Sequence, residues 1–193
     1  MQVSTGILID KCVILGECFR SINQKSEFFN YLSSNPEIGL ITDSIVAGVE
    51  SNIHKEKMRD SKKTKALREF QGMKKFLKTE RIDPSQVNRK IDLVEKFFEE
   101  VIKEEIGYSD RVIPGLYRSP RFHLEDYKKS LIPEREDKVI IAEGLHLKEK
   151  YPNLYLASYD RHFLNEPIPK RIEEQFGIIC DLPFNILRKL GRY

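Results

Sequence analysis

The 193-residue sequence has only three cysteines and no long apolar run. Cys12, Cys18 and Cys180 form no C-x-x-C pair and have no histidine at zinc-binding spacing. This pattern indicates a reducing compartment and argues against a disulfide framework or a structural zinc. No apolar run approaches the ~20 residues that a transmembrane helix needs. The first ten residues lack a cationic region and a long apolar region, so we expect no signal peptide, no membrane association and a cytoplasmic location.

Several well-known motifs of α/β enzymes are also absent. The sequence contains neither G-x-G-x-x-G nor G-x-x-x-x-G-K-[ST], the loops with which nucleotide-binding folds hold phosphate. It has no G-x-S-x-G nucleophile elbow. A phosphoaspartyl hydrolase needs a second aspartate two residues after the first, but Cys12 follows Asp10 at that distance. These absences exclude three common kinds of α/β enzyme.

Charge is nearly balanced overall but unevenly distributed. Against 33 Lys and Arg stand 30 Asp and Glu, so the net charge of +3 does not by itself indicate a nucleic-acid partner. The segment from Lys55 to Arg81 holds eleven basic and four acidic residues. Such a segment is either a solvated helical face or a surface that contacts nucleic acid. Both interpretations stay open at the level of sequence.

Short apolar segments alternate with helical patterns along most of the chain. Four segments, bounded by turn residues or charges, predict buried strands: Gly6–Ile9, Gly39–Thr42, Leu154–Ser158 and Gly177–Cys180. Helical spacing of apolar residues occurs over Val13–Tyr31, after Ser44, and from about Asp137 to the Tyr151-Pro152 pair. This alternation predicts a single α/β domain over residues 1–193 with a central, mainly parallel sheet.

The middle of the chain departs from this alternation. Residues 54–106 are charged and helix-prone, with a break at Asp83-Pro84. We expect a helical insertion here, a pair of helices that either projects from the α/β core or packs over it. Residues 107–136 are rich in proline and glycine in their first half and predict an ordered loop.

Four acidic residues occur where an α/β fold brings chemistry together. Asp10 and Asp160 each follow a predicted strand, Asp137 begins a predicted helix, and Glu50 lies on the helix after the second strand. In a parallel sheet the carboxyl ends of strands and the amino ends of helices meet at one edge. We therefore expect these carboxylates to converge although they are far apart in sequence.

Converging carboxylates need a cation, because each raises the pKa of its neighbours. A set of oxygen ligands without Cys or His selects a hard ion, Mg²⁺ or Mn²⁺. Such ions promote phosphodiester hydrolysis by activating water and stabilising the leaving oxygen. A basic segment elsewhere in the chain would help to attract a polyanionic substrate.

Five segments carry motifs in a recognisable order. They are ILIDKCVIL at 7–15, SIVAGVE at 44–50, DKVIIAEGL at 137–145, SYDRHF at 158–163 and FGIICDLPFNIL at 176–187. In this combination the sequence resembles the PIN-domain family over residues 5–53 and 137–187. The resemblance implies a three-layer fold that binds Mg²⁺ or Mn²⁺ and hydrolyses single-stranded or structured RNA. It also implies the possibility of a toxin with an antitoxin partner, and of a homodimer.

The resemblance assigns roles to five residues of this sequence. It implies that Asp10, Glu50, Asp137 and Asp160 hold the metal and that Ser158 supplies a hydroxyl that supports the site. Glu143 is either a fifth ligand or an ordinary helix residue. We interpret His162 as a surface residue or as one that supports the ligands.

Two residues differ from the family pattern. Lys11 and Cys12 occupy positions where the family usually has Thr or Ser and then Asn. A lysine would compete with metal if it paired within the acidic site, and a thiol hydrogen-bonds less well than an amide. Two hypotheses follow, a metal-dependent endoribonuclease and a PIN-like scaffold that binds RNA or a protein partner without cleaving.

Overall fold

A parallel five-stranded sheet forms the centre of the computed structural model, which describes residues 4–20, 25–57, 59–112 and 133–192. The strands are β1 (Thr5–Ile9), β2 (Gly39–Thr42), β3 (Lys78–Glu80), β4 (Asn153–Ala157) and β5 (Ile178–Asp181). Their order across the sheet is β3-β2-β1-β4-β5. The prediction of an α/β fold with a mainly parallel sheet is confirmed.

Helices connect the strands in the right order for parallel pairing. They are α1 (Lys11–Cys18), α2 (Glu27–Ser34), α3 (Asp43–Lys55), α4 (Asp60–Lys74), α5 (Pro84–Val112), α6 (Arg135–Leu147), α7 (Arg161–Leu164), α8 (Ile168–Phe176) and α9 (Pro183–Lys189). None of the helices within the described ranges combines the length and hydropathy that a membrane crossing requires.

Helices cover both faces of the sheet. On one face Gly144 of α6 lies so close that a Cβ atom there would come within 3.0 Å of Ile178 and 3.8 Å of Leu8. Gly39 is the register partner of Ile7, and neighbouring residues of a strand point to opposite faces. A Cβ atom at Gly39 would meet the side chain of Leu32, which belongs to α2. The fold is therefore a three-layer α/β arrangement, with α6 and α2 on opposite sides.

The middle of the chain packs against the α/β core and adds a strand to its sheet. Its predicted helical pair corresponds to α4 and most of α5, and α5 is buried at Val94, Phe98 and Val101. Between the two helices lies β3, which the sequence analysis did not predict and which pairs with β2. In the structure α5 packs against α6, and α4 packs against α1 and α3.

Three predicted boundaries need correction. The pattern over Val13–Tyr31 corresponds to two helices, α1 and α2, separated by a segment of which residues 21–24 lie outside the described ranges. The predicted loop over 107–136 is helical at both ends, because α5 continues to Val112 and α6 begins at Arg135. Its remainder, 113–132, lies outside the described residues. Asp137 is the third residue of α6 rather than its first.

Candidate metal centre

Two adjacent strands bring the first aspartates to one edge of the sheet. The ends of β1 and β4 are aligned, with Ile9 opposite Ala157. The pairing continues one step further, because the Asp10 N–H donates to the Ala157 carbonyl at 3.0 Å. Asp10 and Ser158 therefore lie side by side just past the strands, and Asp160 follows two residues later. The predicted convergence of Asp10 and Asp160 at the carboxyl edge is found.

The third aspartate is positioned by the first turn of α6. Glu134 and Asp137 form a capping box, in which the Glu134 N–H donates to Oδ2 of Asp137 at 2.8 Å. This bond fixes the carboxylate of Asp137 at the amino end of the helix. The end of α6 thereby faces the residues that follow β4.

Asp137, Asp160 and His162 form a compact group of metal-ligand type. One ligand atom from each lies within 4.8 Å of the others. The Nδ1 atom of His162 is 2.9 Å from Oδ2 of Asp137 and 3.1 Å from Oδ1 of Asp160. The His162 N–H also donates to Oδ1 of Asp160 at 2.9 Å, which caps α7. Two carboxylates and one imidazole thus meet at a single point.

The Nδ1 atom of His162 is the least satisfied polar atom of this group. It is buried, yet neither carboxylate contact has the geometry of a hydrogen bond, and the atom has no other partner among the described residues. A buried polar atom without a hydrogen bond costs free energy. Coordination of a cation is one way to satisfy an imidazole nitrogen that faces two carboxylates.

The electrostatics of the group also favour a cation. Burial raises the pKa of Asp137 above its ordinary value, and the charges of Asp160 and Asp10 raise it further. The hydrogen bond from the Glu134 N–H and the proximity of His162 act in the opposite direction. A divalent ion would relieve the repulsion that raises this pKa.

Asp10 is held beside this group by hydroxyl and thiol donors. Its Oδ2 atom accepts from Ser158 Oγ at 2.6 Å and from Cys12 Sγ at 3.1 Å. Ser158 Oγ in turn accepts from the Asp160 N–H at 2.9 Å. Asp10 is not one of the three residues whose ligand atoms cluster, but it lines the same cleft as Asp137. Ser158 therefore links both strand-end aspartates, as expected of a supporting hydroxyl.

The sequence analysis expected the thiol of Cys12 to hydrogen-bond less well than the amide that the family usually has at this position. Its Sγ atom donates to Asp10 and accepts from the Tyr159 N–H at 3.2 Å. Burial, together with the charge of Asp10, raises the pKa of the thiol to about 12. The thiol therefore stays protonated at neutral pH and remains a donor to Asp10. The structure provides this residue with hydrogen bonds on both sides.

Lys11 does not enter the acidic group. Its ammonium forms an ion pair with Glu136 on the first turn of α6, and it lines the cleft beside Asp10. Within the described part of the chain, Glu136 is the carboxylate that Lys11 pairs with. Lys11 is therefore not placed to compete directly with a metal ion.

Glu50 and Glu143 lie elsewhere. Glu50 is on α3 but pairs with Lys74 of α4 at 3.6 Å and is partly exposed, so the structure does not bring it to the other three acids. Glu143 is buried and accepts a hydrogen bond of 2.8 Å from Thr42 Oγ1. Neither residue belongs to the clustered ligand group found among the described residues.

The sequence analysis left two interpretations of His162 open, a surface residue or one that supports the ligands. Its side chain is only 17% exposed, so the surface interpretation is wrong. The available signal was its position two residues after Asp160, in the first turn of the helix that follows a strand. A side chain in that turn points back toward the end of the strand.

A cleft of about 410 Å³ opens beside the group. Its walls are α3, through Ile45 and Gly48, and α6, through Val139 and Ile140, with Asp10 and Asp137 at one end. α4 packs against α1 and α3.

Comparisons of the chain with protein-family models, with curated proteins and with solved structures found no match. The function is therefore inferred from the geometry of the cleft and the chemistry of its side chains.

Proposed function

We propose that this protein is a metal-dependent, PIN-like endoribonuclease whose centre lies at the carboxyl edge of the sheet. The observation that carries the proposal is the convergence of Asp10, Asp137 and Asp160 from three separate segments of the chain. Burying carboxylates from distant segments together costs free energy unless a cation neutralises them. The two carboxylates and the imidazole suit a divalent ion. The buried Nδ1 of His162 has no hydrogen bond, and coordination to such an ion would satisfy it.

Asp137 and Asp160, with His162, are the residues that would hold the ion. Asp10 faces the same cleft and is oriented by hydrogen bonds from Ser158 and Cys12. When bound, a divalent ion lowers the pKa of water and stabilises negative charge on a phosphodiester that is being cleaved. The carboxylate of Asp10 would orient the attacking water or accept a proton from it.

RNA as substrate is supported by the exposed positive charge of the Lys55–Arg81 segment. Most basic side chains of this segment are exposed: Lys55, Lys57, Arg59, Lys62, Lys65, Arg68, Lys75 and Arg81. Phosphate groups are attracted to such a surface at low salt. The cleft itself has apolar walls next to the acids, which suits an unpaired base better than a duplex.

The test is cleavage of a labelled single-stranded RNA with Mn²⁺. Wild type is compared with Asp137→Asn and Asp160→Asn, and with Asp92→Asn, which removes an exposed carboxylate of α5. Substituting a residue that supports metal ligands lowers activity ~10- to 100-fold. We expect both site variants to lose more cleavage activity than this, and Asp92→Asn to cleave like wild type. EDTA should abolish cleavage in all of them.

Two results would contradict the proposal. Equal cleavage by wild type and Asp137→Asn would mean that a contaminant or another site cuts the RNA. RNA binding by wild type without cleavage under any divalent ion would favour the alternative, a scaffold that binds without cleaving.

A further inference from the structure

The acidic centre contains a nitrogen donor that the sequence-based expectation of a hard-ion site did not include. The Nδ1 atom of His162 lies at 2.9 Å and 3.1 Å from two carboxylate oxygens of Asp137 and Asp160. An all-oxygen set selects Mg²⁺ or Mn²⁺ without strong preference, whereas imidazole suits transition metals. The identity of the metal therefore depends on what His162 does.

We propose that His162 is a direct metal ligand and makes this a centre for transition metals of the Mn²⁺, Co²⁺ and Zn²⁺ type rather than for Mg²⁺. The inference rests on the proposed metal centre and narrows its cofactor. It concerns which ion binds, so it can fail while the nuclease proposal stands.

Three observations support ligation by His162 over a supporting role. First, the Nδ1 atom is buried and has no hydrogen bond, whereas a histidine that merely supports a carboxylate would donate to it. Second, the backbone of His162 is fixed, because its N–H donates to Asp160 Oδ1 at the start of α7. Third, one ligand atom from each of the three side chains fits within 4.8 Å of the others. The Nδ1 atom thus lies within 3.1 Å of a carboxylate oxygen from each of two aspartates.

The chemistry of the ions then sets the preference. Mg²⁺ loses its water reluctantly and is usually bound through one or two carboxylates and waters. First-row divalent ions accept imidazole nitrogen readily, and their affinity for mixed nitrogen and oxygen sites rises from Mn²⁺ through Co²⁺. A set of two carboxylates and one imidazole therefore favours the second class.

The test measures metal binding directly, on protein freed of metal by chelation. Isothermal titration calorimetry gives the dissociation constants for Mg²⁺, Mn²⁺, Co²⁺ and Zn²⁺, and the visible absorption of bound Co²⁺ reports its ligands. The key variant is His162→Gln, which keeps a polar side chain and offers an oxygen in place of nitrogen. His54→Gln is the matched control, since His54 is exposed at the end of α3. Circular dichroism confirms that each variant is folded.

We expect wild type to bind Co²⁺ at least about 100-fold more tightly than Mg²⁺, and His162→Gln to reduce this ratio about 10-fold or more. The Co²⁺ spectrum should change in His162→Gln and stay unchanged in His54→Gln. Equal affinity of wild type for Mg²⁺ and Co²⁺ would overturn the inference, and Mg²⁺-dependent cleavage would then leave the nuclease proposal intact.

A different result would assign His162 the opposite role. If His162→Gln bound every divalent ion more tightly than wild type, His162 would be a cation that occupies the place of the metal. That outcome also overturns the inference. Absence of binding by any divalent ion in wild type would overturn both the inference and the nuclease proposal.

Discussion

The hydroxyl of Ser158 donates a hydrogen bond of 2.6 Å to Oδ2 of Asp10, which precedes it by 148 residues. Both side chains are buried, Ser158 completely and Asp10 to 8% exposure. Ser158 also accepts from the Asp160 N–H. One small side chain thus compensates a buried charge and connects the ends of the two central strands, β1 and β4.

Replacing Ser158 by alanine should therefore affect both stability and metal binding. A hydrogen bond to a charged group contributes about 1.5–3 kcal/mol. Its loss leaves the thiol of Cys12 as the remaining side-chain donor to Asp10 among the described residues. We expect Ser158→Ala to lower the free energy of unfolding in urea by about 2 kcal/mol. Ser4→Ala is the control, because Ser4 also donates a short bond, 2.7 Å to the Lys150 carbonyl, but in an exposed position. Equal loss in both variants would contradict this view of Ser158.

The three thiols should all be unreactive in the folded protein. Burial raises the pKa of Cys12 and of Cys18 to about 12 and raises that of Cys180 as well. A raised pKa means less thiolate at pH 8, and the thiolate is the reactive form. We expect Ellman's reagent to titrate three thiols per chain rapidly in guanidinium chloride and to react slowly with the native protein. A native thiol that reacts as fast as in the unfolded chain would show that one of these sites is open to solvent.

Much of the sheet could be predicted because four of its five strands are largely apolar. The four predicted strands agree with β1, β2, β4 and β5 to within one residue at each end. β3 is different because its sequence, Lys-Thr-Glu, is entirely polar, whereas β5 at the other edge of the sheet begins with Ile178, Ile179 and Cys180. Three polar residues give no alternation that could distinguish a strand from a turn. Such an edge strand is visible only in the folded structure.

The candidate site was predicted in part for a similar reason. Asp10 and Asp160 follow buried strands, so topology alone places them at one edge. Glu50 lies in the middle of a helix, where position in sequence does not fix which neighbour a side chain meets. The position of His162 in the first turn of α7 indicates that it points toward the end of β4 but does not identify the residue it contacts. The result depends on packing, and here α4 brings Lys74 to Glu50 while α7 turns His162 toward Asp137.

The contribution of α5 to the core can be tested with two substitutions on the same helix. Phe98 is 1% exposed and stacks edge-on against Phe97, whereas Leu93 is 49% exposed. We expect Phe98→Ala to lower the free energy of unfolding by about 3–5 kcal/mol and Leu93→Ala to change it by less than about 0.5 kcal/mol. Thermal or urea unfolding followed by circular dichroism measures both. Similar small losses would mean that α5 is a dispensable insertion after all.

Glu143 provides a test of how this fold tolerates a buried charge away from the candidate centre. Its carboxylate accepts from Thr42 Oγ1 at 2.8 Å, and the residue is 4% exposed. Burial raises the pKa of Glu143, and the charge of Asp43 adds to this, while the hydroxyls of Ser44 and Thr42 oppose it. The folded state therefore binds the Glu143 proton more tightly than the unfolded state does.

This difference fixes the sign of the pH dependence. Because the folded pKa is raised, the stabilisation from protonated Glu143 is full below the unfolded pKa and is lost as pH rises through the folded pKa. Glu143→Gln removes that loss, so we expect its free energy of unfolding to increase relative to wild type between pH 4.5 and pH 8. Each unit of pKa elevation corresponds to about 1.4 kcal/mol of this change.

Glu149 is the matched control, because its pKa is shifted the other way. It is exposed on the surface, and its hydrogen bond and ion pair with Lys90 lower its pKa. The stabilisation from ionised Glu149 is present above the unfolded pKa and is lost as pH falls through the folded one. Glu149→Gln should therefore be slightly less stable than wild type throughout pH 4.5 to 8, with the difference closing at lower pH, opposite to the gain in stability expected for Glu143→Gln. Urea unfolding at pH 4.5, 6 and 8 compares the two, and curves that shift in the same direction would show that Glu143 is ionised without penalty in the fold.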